Sequence, residues 1–158
     1  MRTKKAQVRQ LTKDPKYDSL LVTKLVNRSM RDGKKSVAQK QVYDALEIVA
    51  AKTKKGPVEA LELAVENIAP KMEVRSRRVG GASYQVPMPV RARRGTSLAI
   101  RWMIFEANKR SNKEFHTYAE KLAAEIMDAM SEAGGAIEKK LGAHRMADAN
   151  KAFSHFRW

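Results

Sequence analysis

The chain contains no cysteine. Disulfides, zinc–thiolate sites and thiol nucleophiles are therefore excluded, and a reducing, cytosolic setting is expected. Histidine is almost as scarce, with only His116, His144 and His155. His144 and His155 would lie about 16 Å apart along a helix, too far to share a metal. No HExxH, GxSxG or dinucleotide-type glycine motif occurs, so nothing in the sequence demands an enzyme, a metal or a cofactor. Apolar runs such as Trp102–Phe105 are far too short to cross a membrane. Met1–Lys16 is basic and has no apolar core segment, so no secretory signal is expected. Acidic residues are outnumbered, with 17 Asp and Glu against 32 Lys and Arg, and the formal net charge is +15. A charge of that size implies a polyanionic partner, nucleic acid before an acidic membrane.

The excess is segregated along the chain. Residues 1–36 carry +8, 37–70 carry −1, 71–101 carry +7 and 102–158 carry +1. A chain charged only for solubility would not need two basic blocks between near-neutral ones, so the blocks are read as a footprint. The first block opens with Arg2, Lys4, Lys5 and Arg9, and with few apolar residues over 1–16 it is expected to be an arm that orders on an anionic partner. Asp14-Pro15 marks the turn into the body.

The second block is organised by a hairpin over 72–90, Met72–Val79 and Ala82–Val90, joined at Gly80-Gly81. Adjacent glycines supply the positive φ angles a two-residue loop requires. That loop pairs Val79 with Ala82, Arg77 with Tyr84, Arg75 with Val86 and Val74 with Pro87. Counting from the closing pair puts Pro87 and Pro89 at non-hydrogen-bonded sites, where a missing N–H costs the ladder nothing. Neither side of the ribbon is cleanly apolar, and an isolated two-stranded ribbon is marginal in water, so it is expected to leave the body and lean on a partner. Arg75, Arg77, Arg78, Arg91, Arg93 and Arg94, with no lysine between Met72 and Arg94, favour a phosphate-rich partner, because the planar guanidinium matches phosphate in bidentate fashion. Tyr84 opposite Arg77 allows cation–π contact or stacking on a base.

Apolar periodicity outlines six helices. Ser19 is placed to cap the first, Leu20–Met30, with Gly33 as terminator, and Ser36 to cap the second, Val37–Thr53. Gly33-Lys34-Lys35 resembles the tail of a P-loop, but Arg28 stands where its first glycine belongs and a helix precedes it, so Lys34 and Lys35 are read as phosphate-contacting loop residues. Pro57 opens the third helix, with Glu59, Glu62 and Glu66 on its solvated side. The fourth, Ala92–Lys109, is apolar nearly all round and is expected at the centre of the bundle, with Arg93 and Arg94 at its phosphate-binding first turn. The fifth is expected over Phe115–Met130. A sixth follows Gly134-Gly135 to about Phe153, with Gly142 as a point of interruption. In the closing ANKAFSHFRW, aromatics interleave with cations, which suits either stacking on nucleic acid or stapling the terminus to the bundle.

Glu73–Pro87, EVRSRRVGGASYQVP, resembles the ribbon of the bacterial-type small-subunit ribosomal protein S-seven family. Asp32-Gly33-Lys34-Lys35-Ser36, Ala64-Val65-Glu66-Asn67, Ala99–Trp102, His144-Arg145-Met146-Ala147 and Ala149–Trp158 resemble the same family, in order and at compatible spacing, over nearly the whole chain. Two segments depart from its pattern: Met1-Arg2-Thr3-Lys4-Lys5 lacks the early proline, and Leu141-Gly142-Ala143 replaces a more acidic stretch.

The resemblance implies a mainly α fold, a single six-helix bundle over 1–158, with a protruding two-stranded β-hairpin between helices 3 and 4 and a basic N-terminal arm. A C-terminal helix and tail would occupy 131–158. It implies a cytoplasmic, non-catalytic constituent of the small ribosomal subunit. Such a protein is a primary binder of the 3′ major domain of small-subunit (16S-type) rRNA and nucleates head assembly at the subunit interface. The rRNA-binding set would be Arg2, Lys4, Lys5, Arg9, Lys34, Lys35, Arg75, Arg77, Arg78, Arg91, Arg93 and Arg94. Val79, Gly80, Gly81, Ala82, Ser83, Tyr84, His144, Arg145, Lys151 and Arg157 would lie toward the exit-site tRNA and the mRNA path. Ribosomal proteins S-nine and S-eleven would be neighbours, and no membrane is implied. The rival reading, an architectural DNA-binding ribbon, fits less well: such ribbons carry an intercalating wedge at the tip, where this chain has Gly80-Gly81.

Overall fold

The computed structural model describes residues 10–53 and 55–157. Its elements run α1 (Leu20–Ser29), α2 (Lys35–Thr53), α3 (Pro57–Ile68), β1 (Met72–Val79), β2 (Ala82–Pro89), α4 (Ala92–Lys109), α5 (Tyr118–Met130) and α6 (Gly135–Ala149), followed by a 3-10 helix over Lys151–Phe156. No helix among the described residues is long and apolar enough to cross a membrane.

The centre of the bundle is α5, not α4. It packs against α2, α3, α4 and α6. Seven of its 13 residues are buried, against six of 18 in α4. Ala119, Ala123, Ala124 and Ala129 let neighbouring helices come close, while Leu122 and Ile126, fully buried, each contribute about 1.5–3 kcal/mol. The sequence makes α4 look the more central because Trp102, Ile104 and Phe105 extend its apolar surface. Trp102 and Ile104 are only partly buried, and Phe105 is 48% exposed beneath Lys109 and Lys139, whose Nζ atoms stand 4.5 and 4.2 Å from the ring centroid. Cation–π contact thus covers part of what core packing leaves open.

Local signals explain where the helices begin. Leu21 N–H donates to Ser19 Oγ at 3.2 Å, which fixes the start of α1 as expected. Ser36 does not cap α2, which already starts at Lys35. Gly33, at φ +73°, lies in the loop beyond the end of α1 rather than next to it. The fifth helix begins at Tyr118 instead of Phe115 because Thr117 and Glu120 form a reciprocal capping box: Glu120 N–H donates to Thr117 Oγ1, and Thr117 N–H to Glu120 Oε2, both at 3.2 Å. α6 runs through Gly142 uninterrupted and ends at Ala149, short of Phe153; the chain tightens there into the 3-10 helix.

Part of the expected arm belongs to the body. Asp14 is buried, and its Oδ2 accepts from Lys16 N–H (3.1 Å), Tyr17 N–H (3.2 Å) and the Tyr43 hydroxyl (2.7 Å). Thr23 Oγ1 donates to Thr12 O at 3.0 Å. The Asp14 carboxylate thus anchors the segment to α2, and the Thr23–Thr12 bond anchors it to α1.

Candidate nucleic-acid interface

The ribbon has the register expected from its loop, from Val79 opposite Ala82 to Met72 opposite Pro89. Val90, one residue beyond β2, donates to Lys71 O at 3.0 Å, which continues the alternation that leaves Pro87 and Pro89 at non-bonded sites. Gly80 and Gly81 take φ +57° and +91° at the tip. A Cβ on either would meet nothing within 4 Å, so backbone conformation, not space, selects glycine there.

The ribbon does not stand clear of the body. β1 packs against α6, and β2 against both α6 and the 3-10 helix. Val86, on β2, is fully buried. Tyr84 is half-buried. Its ring lies 5.2 Å from that of Phe153 and 5.3 Å from that of Phe156, at tilted angles favourable for aromatic pairs. Phe153 and Phe156 thus staple the tail to the ribbon, and Trp158 lies outside the described residues. His144 Nε2 accepts from Lys71 N–H at 3.0 Å, which joins α6 to the foot of the ribbon.

Glu73 organises the cations at that foot. Its Oε1 accepts from Arg75 Nε (2.8 Å) and Nη2 (2.6 Å), and its Oε2 from Arg94 Nε (3.2 Å). Burial works to raise its pKa, but the hydrogen bonds and charges of Arg75 and Arg94 outweigh it and hold the carboxyl below its usual range. The carboxylate aims two arginines from separate elements, and both keep much of their side chains in solvent.

Of the other cations singled out in the sequence, Arg78, Arg91 and Arg93 are exposed and Arg77 is half-buried opposite Tyr84. Lys34 and Lys35 are exposed at the entry to α2, and Lys34 borders a depression with Arg31 and Tyr118. Arg145, Lys151 and Arg157 are exposed; Ala82 and Ser83 are exposed near the tip, and Val79 is half-buried. Arg2, Lys4, Lys5 and Arg9 lie outside the described residues.

Two further cations join these. Lys24 and Arg28, one turn apart on α1, face Arg93 of α4 across a cleft of about 330 Å³ that Asn27, Thr96 and Ser97 also line. No described carboxylate pairs with Lys24, Arg28 or Arg93, in contrast to Lys16, Arg75, Arg94 and Arg110. The signal was present in the sequence: LLVTKLVNRS carries two cations at i and i+4 and no acid to offset them.

A basic ribbon foot and an α1–α4 cleft whose cations meet no acid among the described residues, both carried on a helical body, suit a polyanionic partner. The family model described as ribosomal protein S7p/S5e matches residues 1–151. The chain is 54% identical to the small ribosomal subunit protein uS7 of Thermosipho melanesiensis over the full length of both chains. It is also 54% identical to that of Dictyoglomus thermophilum, covering 95% of this chain and 94% of the relative. Against that of Thermotoga petrophila it is 52% identical, again over the full length of both. The chain belongs to the ribosomal protein S7p/S5e family. It is a structural protein of the small ribosomal subunit, working in the cytoplasm within the ribosome, and not an enzyme.

Proposed function

We propose that the chain is a primary binder of the 3′ major domain of small-subunit rRNA and nucleates assembly of the subunit head. The observation that carries this is the set of cations along α1, the entry to α2 and the start of α4 that pair with no acid among the described residues, beside a ribbon foot whose arginines are aimed by one carboxylate. Convergent cations on rigid helices neutralise phosphates where RNA segments meet, and folded RNA is read by shape more than by base edges. Family membership supports rRNA as the polyanion.

In the same reading, the tip residues Val79–Ser83, with Arg145, Lys151 and Arg157 of the C-terminal region, lie toward the exit-site tRNA and the mRNA path, and ribosomal proteins S-nine and S-eleven are neighbours. Tyr84 and His144 serve this indirectly, by holding tail, α6 and ribbon together. Binding of the purified protein to a head-domain rRNA fragment over a salt series tests the core of the proposal. A steep fall in affinity with salt and preference over duplex DNA of equal length are expected. Equal affinity for the duplex would overturn it.

A further inference from the structure

The α1–α4 cleft is continuous in its lining with a second, larger one. The second holds about 670 Å³ and lies between α1, α3, the foot of the ribbon and the start of α4. Lys24 and Thr96 border both. The two differ in chemistry. The first has the charged residues Lys24, Arg28 and Arg93 and no acid. The second is largely aliphatic, with Leu21, Val65, Ala69 and Val90 in its wall, and is mixed in charge: Glu62 and Glu66 border it along with Lys24 and Lys71. Both volumes fall in the range of small-molecule sites, roughly 300–1,000 Å³.

Three like charges in one concavity, with no acid among the described residues beside them, repel one another, and an anion relieves that repulsion. A phosphate is the anion that an RNA-binding protein meets. The apolar wall beside it has no such need; it gains by excluding water from a flat, weakly polar surface. A nucleobase out of its stack has that surface and is joined to a phosphate at short range. Carboxylates on one rim disfavour phosphate there and accept from exocyclic amino groups, so the charge difference between the clefts fixes which end of a nucleotide goes where.

We propose that the paired clefts hold one unstacked RNA nucleotide, its phosphate among Lys24, Arg28 and Arg93 and its base against Leu21, Val65 and Val90. Stacked duplex RNA buries its bases and cannot supply one, so the site selects a bulge, loop or junction. This rests on the RNA-binding reading above and deepens it by naming the element recognised.

The test is NMR titration of the full-length protein with inorganic phosphate and, separately, with adenosine 5′-monophosphate. Phosphate is expected to shift amides lining the first cleft, around Asn27, Arg28 and Ser97. The nucleotide is expected to shift these and also Val65, Ala69 and Val90, and to bind about tenfold more weakly to Lys24→Gln. Leu20→Ala, at an exposed position on the second cleft, should weaken the nucleotide and leave phosphate unchanged. Shifts from the nucleotide confined to the first cleft would overturn the assignment of the base. No shift from either ligand would overturn the whole site, while retained binding of the head-domain rRNA fragment would show that the broader reading stands without it.

Discussion

Arg110 and Glu125 show how one pair of residues can fix three helices. Glu125 is 1% exposed on a helix that the core surrounds. Its Oε2 accepts from Arg110 Nε (3.0 Å) and Nη2 (2.6 Å), and its Oε1 from Ala136 N–H (3.0 Å) at the start of α6. Asp128 adds a second carboxylate to the same guanidinium. Burial alone would lower the Arg110 pKa, but the two acids raise it. Gly134 completes the joint at φ +88°, where an added Cβ would come within 3.0 Å of Asp128 Cβ. Arg110→Ala leaves Glu125 charged and unmatched in the core, so it should cost about 3–5 kcal/mol in urea unfolding, whereas an exposed pair such as Lys13–Asp18 should cost under about 1 kcal/mol. A small loss for Arg110→Ala would mean that the joint is not structural. Glu73 and Glu120 have folded pKa values below their usual range, the first because Arg75 and Arg94 outweigh its burial, the second because it accepts from the Thr117 and His116 backbone N–H groups. A depressed carboxyl contributes stability that is present above its unfolded pKa and lost as pH falls through the folded value. Stability should therefore decline below the ordinary carboxylate range, and Glu73→Gln should flatten part of that decline. An unchanged acid limb in that variant would exclude Glu73 as a contributor.

At the level of elements, the ribbon was the most legible part of the chain and its surroundings the least. Two glycines with positive φ and two prolines needing non-bonded sites leave one register, and that register is the one observed. What the ribbon leans on depends on residues some 70 positions away, such as His144 from Lys71, and no local pattern encodes such a contact. The sixth helix runs through Gly142 for a similar reason. Glycine at Gly142 lowers helix propensity, yet the turn is held by its neighbours in α6, packed against β1 and α4. The 3-10 helix follows from the same packing, since the chain must turn at Asn150 to bring Phe153 and Phe156 onto Tyr84. Tyr84→Ala removes the shared ring of that cluster. Amide hydrogens over 151–156 should then exchange faster while α2 and α5 keep their protection. Unchanged exchange over 151–156 would show that the tail is held by something other than the aromatic cluster.

For the molecule as a whole, the useful property is where the charge is left unpaired. The sequence shows two basic blocks, and the fold brings part of the first, Lys24 and Arg28 of α1, beside part of the second, Arg93 of α4. Charge along a chain reveals the amount; only the α1–α4 packing reveals that both blocks border one cleft. The fold also divides these cations by partner. Arg75 and Arg94 already face Glu73, so a phosphate reaching them competes with an existing hydrogen bond. Lys24, Arg28 and Arg93 have no described acid to leave. Each cation that neutralises a phosphate releases condensed counterions, and its removal lowers the slope of log affinity against log salt by about 1. Arg28→Ala with Arg93→Ala should therefore lower the slope for the head-domain rRNA fragment by about 2. Arg75→Ala should lower it by less than a full contact, because Arg75 is already paired with Glu73 in the free protein. Thermal unfolding of the free protein should hardly change in the Arg28, Arg93 double variant, since both side chains are exposed and unpaired. If the double variant and Arg75→Ala gave equal slopes, pre-existing pairing would not decide which cations carry the contact, and the cleft would lose its standing as the stronger half of the interface.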